Sequence, residues 1–196
     1  MIVIVDYGAG NVKSISNILD SLNAEYKISS NSEEILSAEA VIFPGQGHFG
    51  QAINNLEQKG LKDTIIKVIK ENKTKFLGIC LGLQILFEES EEAPNCVGLS
   101  VLKGKVKKFP PGKIPQIGWN NIETTNNNSF LEDDYFYFVN SFYVEPQEES
   151  VIASYCEYNG VRFCSSVQKE NITAVQFHPE KSADAGKSFF EKWINS

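Results

Sequence analysis

Short apolar runs alternate with amphipathic stretches through the first half of the chain. Residues 2–5, 40–43 and 76–79 are continuous, largely β-branched or aromatic runs, as expected of strands buried on both faces of a parallel sheet. Between the first two, Val12, Ile15, Ile18, Leu19 and Leu22 recur at helical spacing, and a short strand at 26–28 leads into the helix-start signal Ser32-Glu33-Glu34. Residues 49–69 again repeat apolar positions at helical spacing, with a break at Gly60. This alternation predicts an α/β fold, a right-handed, doubly wound, mostly parallel sheet. Beyond Cys96 the pattern becomes a series of short β runs at 101–109, 114–122, 135–144, 151–155, 162–167 and 172–177, closed by an amphipathic helix at 183–194. They predict additional antiparallel strands in the C-terminal half. No repeat, linker or low-complexity stretch interrupts the pattern, so residues 1–196 are expected to form a single domain.

The densest chemistry lies in KFLGICLGLQILFEESEE, residues 75–92. An apolar strand meets Cys80 between Gly78 and Gly82, and an apolar helix pattern follows, closed by acids. A strand turning directly into a helix strains the residue at the turn and crowds its neighbours, which favours flanking residues without a Cβ. A thiol there would sit at a helix N-terminus, where the dipole favours thiolate, and the N–H of Leu81 would be free to bond an oxyanion. The competing reading is a buried structural cysteine.

A nucleophile needs a base, and the chain has two histidines. His178 follows the strand pattern at 173–177 and precedes Pro179 and Glu180. Proline ends the strand, which places the imidazole at the C-terminal rim of the sheet, and Glu180 can turn back to hold its tautomer. His48 is the rival base, in the glycine-rich segment Pro44-Gly45-Gln46-Gly47-His48, with no adjacent carboxylate. Gly8 and Gly10 do not complete a dinucleotide fingerprint, because Lys13 stands where its third glycine would fall.

The formal net charge of −7, without a basic stripe on any predicted helix, argues against nucleic acid and anionic membrane surfaces as partners. Alternating lysines at 103, 105, 107 and 108 read as the solvated face of a strand. Four cysteines without a C-x-x-C pair argue against zinc. No signal-peptide pattern or membrane-length apolar run is present, and a cytoplasmic protein with reduced thiols is expected.

The elbow Gly78-Ile79-Cys80-Leu81-Gly82-Leu83-Gln84 and the distant His178-Pro179-Glu180 together resemble the class I, triad-type glutamine amidotransferases, and the resemblance runs from Met1 to the last helix. Within that class, Asp6 to Asn11, Pro44 to Gly47, Pro115 with Gly118-Trp119-Asn120, Tyr137-Phe138-Val139 and the segment from Gln176 to Ser182 are most similar to the glutaminase subunits of imidazole glycerol phosphate synthase, from histidine biosynthesis. The resemblance implies a flavodoxin-like domain, L-glutamine as substrate, no cofactor, no metal, and a heterodimer with a (β/α)8-barrel cyclase subunit that receives the ammonia. It implies Cys80 as nucleophile, His178 as proton shuttle and Glu180 as its orienting partner. It assigns the oxyanion donors to Leu81 and the strand Gly45, Gln46 and Gly47, and the glutamine contacts to Gln84, Glu92, Ser141 and Phe142. A helix continuing from the elbow would set Gln84 and Glu92 two turns apart. Asn11, Trp119, Asn120, Tyr137 and Lys181 match positions facing the cyclase. Gln46 and Asn140 stand where many members carry valine and histidine. Two other readings remain open: a glutaminase serving another synthase, such as anthranilate or aminodeoxychorismate synthase, and a non-catalytic flavodoxin-like thiol module.

Overall fold

The computed structural model describes Met1–Ser196. Strand β1 (Ile2–Val5) is buried at every position and leads through a glycine loop to α1 (Val12–Ser21), whose first turn is capped by the Asn11 side chain accepting from the Ser14 N–H. The alternation continues with β2 (Tyr26–Ser29), α2 (Ser32–Leu36), β3 (Ala40–Phe43), α3 (Phe49–Gln58), α4 (Lys62–Lys70), β4 (Lys75–Ile79) and the single turn α5 (Leu81–Gln84). The second half is mostly strand: β5 (Glu89–Ser90), β6 (Gly104–Lys108), β7 (Gln116–Asn121), β8 (Glu123–Thr124), β9 (Tyr135–Asn140), β10 (Phe142–Pro146), β11 (Ile152–Tyr158), β12 (Val161–Lys169) and β13 (Ile172–Val175), with α6 (Ala183–Ile194) closing the chain.

The main sheet runs β2-β1-β3-β4-β13, each neighbour parallel, and continues through antiparallel β12, β10 and β6, with β5 parallel to β6 at the far edge. Side chains alternate across it, as the two-residue period of a strand requires. Val3 and Val5 pack with Leu56, Ile65 and Val68 of α3 and α4 on one face, and Ile2 and Ile4 pack with Leu19 of α1 and Phe189, Phe190 and Trp193 of α6 on the other. The parallel half is therefore wound on both faces, and β4 and β13 lie side by side with Ile79 opposite Val175. That pairing brings the segments after both strands, which carry Cys80 and His178, to one edge. No helix is long and apolar enough to cross a membrane.

Three local expectations are corrected. The helix after Cys80 does not reach Glu92 but ends at Gln84. The carbonyls that would continue it are taken by a distant segment: Leu99 donates to Ile85, and Val101 and Leu102 both donate to Leu86. Gly98 lies so close beneath that a Cβ there would stand 2.0 Å from the Phe87 carbonyl oxygen. The run at 135–144 divides at Ser141, because β10 joins the main sheet while β9 pairs with β7 in a separate antiparallel ribbon. The last strand stops at Val175, three residues before His178.

Candidate active site

Cys80 sits on the elbow between β4 and α5 with φ 53° and ψ −104°, a conformation that costs a side-chain-bearing residue about 1–3 kcal/mol. Its backbone is held there from two sides. The Cys80 N–H donates to the Val175 carbonyl at 2.7 Å, and its own carbonyl accepts from the N–H groups of Leu83 and Gln84. The flanking chain is too crowded for side chains. A Cβ on Gly82 would lie 2.4 Å from the Phe43 carbonyl oxygen, and one on Gly45 would lie 2.4 Å from the Gly82 nitrogen. The segment after β3 is thus laid directly on the elbow, with Gly45 buried and Gln46 and Gly47 exposed above it.

The thiol is 8% exposed and opens into a cavity of about 360 Å³ lined by Gln46, Gly47, Leu81, Gln84, Glu92, His178 and residues 139–142, among others. His178 is 2% exposed, and its Nδ1 lies 2.8 Å from Oε1 of Glu180, itself on the 3-10 turn Pro179–Lys181. The His178 backbone is fixed as well, since its N–H donates to the Tyr137 carbonyl and its carbonyl accepts from the Ser182 hydroxyl. Burial alone would lower the imidazole pKa, but the Cys80 thiolate and the Glu180 carboxylate outweigh it and lift the ring to about 10. An imidazolium beside the sulfur is therefore the electrostatic partner of a thiolate. A one-turn helix has little macrodipole, so the dipole argument drawn from a long helix gives way to this ion pair.

The remaining expected residues divide by what they touch. Leu81 and Gly47 line the cavity, and the N–H of neither donates to an acceptor within the chain. Ser141 and Phe142 line the cavity as well. Glu92 reaches the cavity although no helix carries it there: it follows β5, and its Oε2 accepts the Phe49 N–H at 2.7 Å, the first turn of α3. Gln84 is 5% exposed, and its amide nitrogen bridges the Phe142 carbonyl at 3.3 Å and Oε1 of Gln176 at 3.1 Å. His48 is exposed and caps α3 by accepting from Gly50, apart from the cavity lining.

The sequence profile of class-I glutamine amidotransferases matches residues 3–195. The chain belongs to that family. Among relatives of the family, the imidazole glycerol phosphate synthase subunit HisH of Methanothermobacter thermautotrophicus is 42% identical, with 99% of this chain and 98% of that protein covered. The HisH protein of Methanocaldococcus jannaschii is 43% identical over the same shares of the two chains. In fold, a crystal structure described as a glutamine amidotransferase superposes with a TM-score of 0.79 at 21% identity, covering 99% of this chain and all of that one. PurLQS from Thermotoga maritima superposes with a TM-score of 0.75 at 19% identity, covering 99% and 97%. At those identities the likeness shows the shared fold.

Beside the cavity mouth, the β7–β9 ribbon of this amidotransferase chain turns an apolar face outward. Ile117 stands opposite Val139 and Trp119 opposite Tyr137, with Tyr135 at the ribbon end. Ile117, Trp119 and Tyr135 are each more than half exposed, and Val139 both joins this face and lines the cavity. Lys181 lines the mouth too, and α1 packs against its turn, which brings Asn11 to the same edge. Asn120 is tied inward, its amide donating to the Glu157 carbonyl at 2.8 Å. Gln176 is a site residue that the sequence reading passed over: it is wholly buried and its Nε2 stands 3.5 Å from the Cys80 sulfur. The available signal was a lone amide inside the otherwise apolar run Ala174-Val175-Gln176-Phe177.

Proposed function

We propose that this chain is the glutaminase subunit of an imidazole glycerol phosphate synthase, acting as one domain in the cytoplasm as the partner of a cyclase subunit in a heterodimer. The observation that carries the glutaminase chemistry is the thiol of Cys80, on a strained backbone turn, sharing a cavity with an imidazole held by Glu180. The thiolate attacks the side-chain amide carbon of glutamine, and the oxyanion that forms is held by the N–H of Leu81 and by one from the segment Gly45, Gln46 and Gly47. The His178 imidazolium donates its proton to the departing nitrogen, ammonia leaves, and a thioester remains on Cys80. Neutral His178 then takes a proton from water, hydroxide adds to the thioester, and glutamate departs as the sulfur leaves as thiolate and the ring is again protonated. Glu92 retains Oε1 for the substrate ammonium, because Oε2 is occupied by Phe49. Gln84 retains its carbonyl oxygen as an acceptor, and Ser141 and Phe142 line the same cavity.

The partner reading rests on the apolar ribbon face beside the cavity mouth, since contiguous exposed apolar surface marks association sites. Ammonia that entered water would be protonated and lost, so the mouth rimmed by Val139 and Lys181 is sealed by the cyclase, with Asn11, Trp119 and Tyr137 around it, whereas Asn120, bonded to the Glu157 carbonyl on the other face of the ribbon, supports the ribbon from behind. Four free cysteines suit a reducing compartment. The test is co-purification from the native source followed by a coupled assay. Copurification of a cyclase, and glutamine-dependent formation of imidazole glycerol phosphate, are expected. Recovery with a chorismate-using synthase instead would overturn the partner reading and leave the glutaminase intact.

A further inference from the structure

The Cys80 sulfur has two hydrogen-bonding neighbours of opposite kind: the Val139 carbonyl oxygen at 3.9 Å, which accepts, and the Gln176 side-chain nitrogen at 3.5 Å, which donates. A carbonyl favours the protonated thiol and a donor favours the anion. We infer that Gln176 is a positioning residue for the nucleophile, its amide N–H holding the thiolate in place and favouring its ionised form. The inference rests on the glutaminase reading for its functional meaning, and on contacts alone for its geometry.

The polarity of the Gln176 amide is set by a chain of contacts that begins at the backbone. The Phe142 carbonyl can only accept, so the group of Gln84 that faces it is the NH2. That same NH2 meets Gln176, which must answer with its oxygen at 3.1 Å. With its oxygen engaged, Gln176 turns its own NH2 to the sulfur. The arrangement is rigid: Gln176 is wholly buried, and its backbone N–H extends the sheet ladder by donating to the Ser165 carbonyl at 2.8 Å. It also links a cavity wall to the nucleophile, because Gln84 lines the space where substrate would lie.

The titratable and charged groups around the sulfur are His178 with Glu180 behind it, Glu92 and Lys181 on the cavity wall, and the buried Tyr7 hydroxyl. None of these changes in Gln176→Met, so a shift in thiol ionisation there would report the amide itself. In Gln176→Met the donor is lost at similar volume. In Gln176→Glu the shape is kept and the donor becomes an acceptor.

The experiment measures alkylation of Cys80 by iodoacetamide in the full chain across pH, read by peptide mass. A hydrogen bond to a charged group is worth enough to change the thiolate fraction roughly tenfold. An upward shift of the alkylation midpoint by about one pH unit is expected in Gln176→Met, and a larger one in Gln176→Glu, with the melting transition retained. If Gln176→Met does not fold, Gln176→Leu, equally without a donor and without a charge, decides the matter. If neither folds, the wild-type chain does, through the Gln176 side-chain amide resonance, which must titrate with Cys80 and lose that titration in Cys80→Ala. An unmoved midpoint in a folded variant, or an amide resonance indifferent to Cys80, overturns the inference. Failure of the glutaminase reading would show separately, as glutamine hydrolysis surviving Cys80→Ser.

Discussion

At the scale of single residues, the site depends on one ion pair and the groups that hold it. Cys80→Ser replaces a small, largely buried side chain by one of similar volume, so it should abolish glutamine hydrolysis by the assembled enzyme while shifting stability by less than about 1 kcal/mol, roughly 3 °C in melting temperature. A glutamine-analogue electrophile should label Cys80 and spare Cys156, whose thiol burial pushes up to about 12, and Cys164, pushed up further by the same cause. Peptide mapping of the labelled protein checks this, and full inactivation with the label elsewhere would contradict it. The pH dependence follows from the raised His178 pKa. The imidazolium needed to protonate the departing amide nitrogen persists until pH nears 10, so kcat/KM should hold its alkaline plateau well above the ordinary imidazole value of about 6.5. Glu180→Gln removes a charge that raises that pKa, so its alkaline limb must move to lower pH. It should also cost less than His178→Asn, for which a loss of about 100- to 10,000-fold is expected. A pH–rate profile of both variants decides, and equal losses would mean that the carboxylate does more than orient the ring.

At the scale of elements, the elbow works because backbone lies on backbone. Gly45→Ala and Gly82→Ala each place a Cβ 2.4 Å from a backbone atom, so each should destabilise the chain by about 1–3 kcal/mol or more and displace the nucleophile. Gly60→Ala is the comparison: the site is open and the penalty is that of a left-handed backbone, about 1–2 kcal/mol, with no loss at the site. Urea unfolding together with Cys80 alkylation separates the two kinds of cost, since a Gly60 variant that lost thiol reactivity would point to a coupling not seen in the packing. The same scale shows why element types were readable and element ends were not. Apolar periodicity announced β4 and the turn after it, yet α5 stops at Gln84 because residues 99–102 take the carbonyls of Ile85 and Leu86 out of reach of a longer helix.

At the scale of the whole molecule, the cavity and the exposed apolar face of the ribbon are continuous through Val139. The N–H of His178 is bonded to the carbonyl of Tyr137, which stands beside Trp119 on the ribbon, so the ribbon and the backbone of His178 are joined directly. Trp119→Ala should weaken binding of the cyclase at least tenfold, as loss of a central aromatic anchor does, while leaving the melting temperature of the isolated chain unchanged. Calorimetric titration measures the first and thermal melting the second. A variant with normal affinity would remove the ribbon from the interface. The isolated chain is also expected to hydrolyse glutamine more slowly than the assembled enzyme, because the permissive segment Gly45, Gln46 and Gly47 can present its N–H groups in more than one orientation. Equal turnover in the two states would exclude such a switch.

The sequence by itself determined what depends on near neighbours: buried parallel strands from apolar runs, helices from their periodicity, the cysteine elbow from its glycines, and the pairing of His178 with Glu180 from a two-residue spacing. Family membership was legible for the same reason, because its marks are short contiguous motifs. Tertiary structure alone decided what depends on partners far along the chain. Glu92 reaches the cavity through a turn after β5 and not along a helix, the ribbon of β7 and β9 separates from the main sheet, and Gln176 faces the sulfur because Phe142 and Gln84 orient it. Each of these is settled by a hydrogen bond between residues distant in sequence. Local periodicity carries no record of which distant group will supply the donor or acceptor.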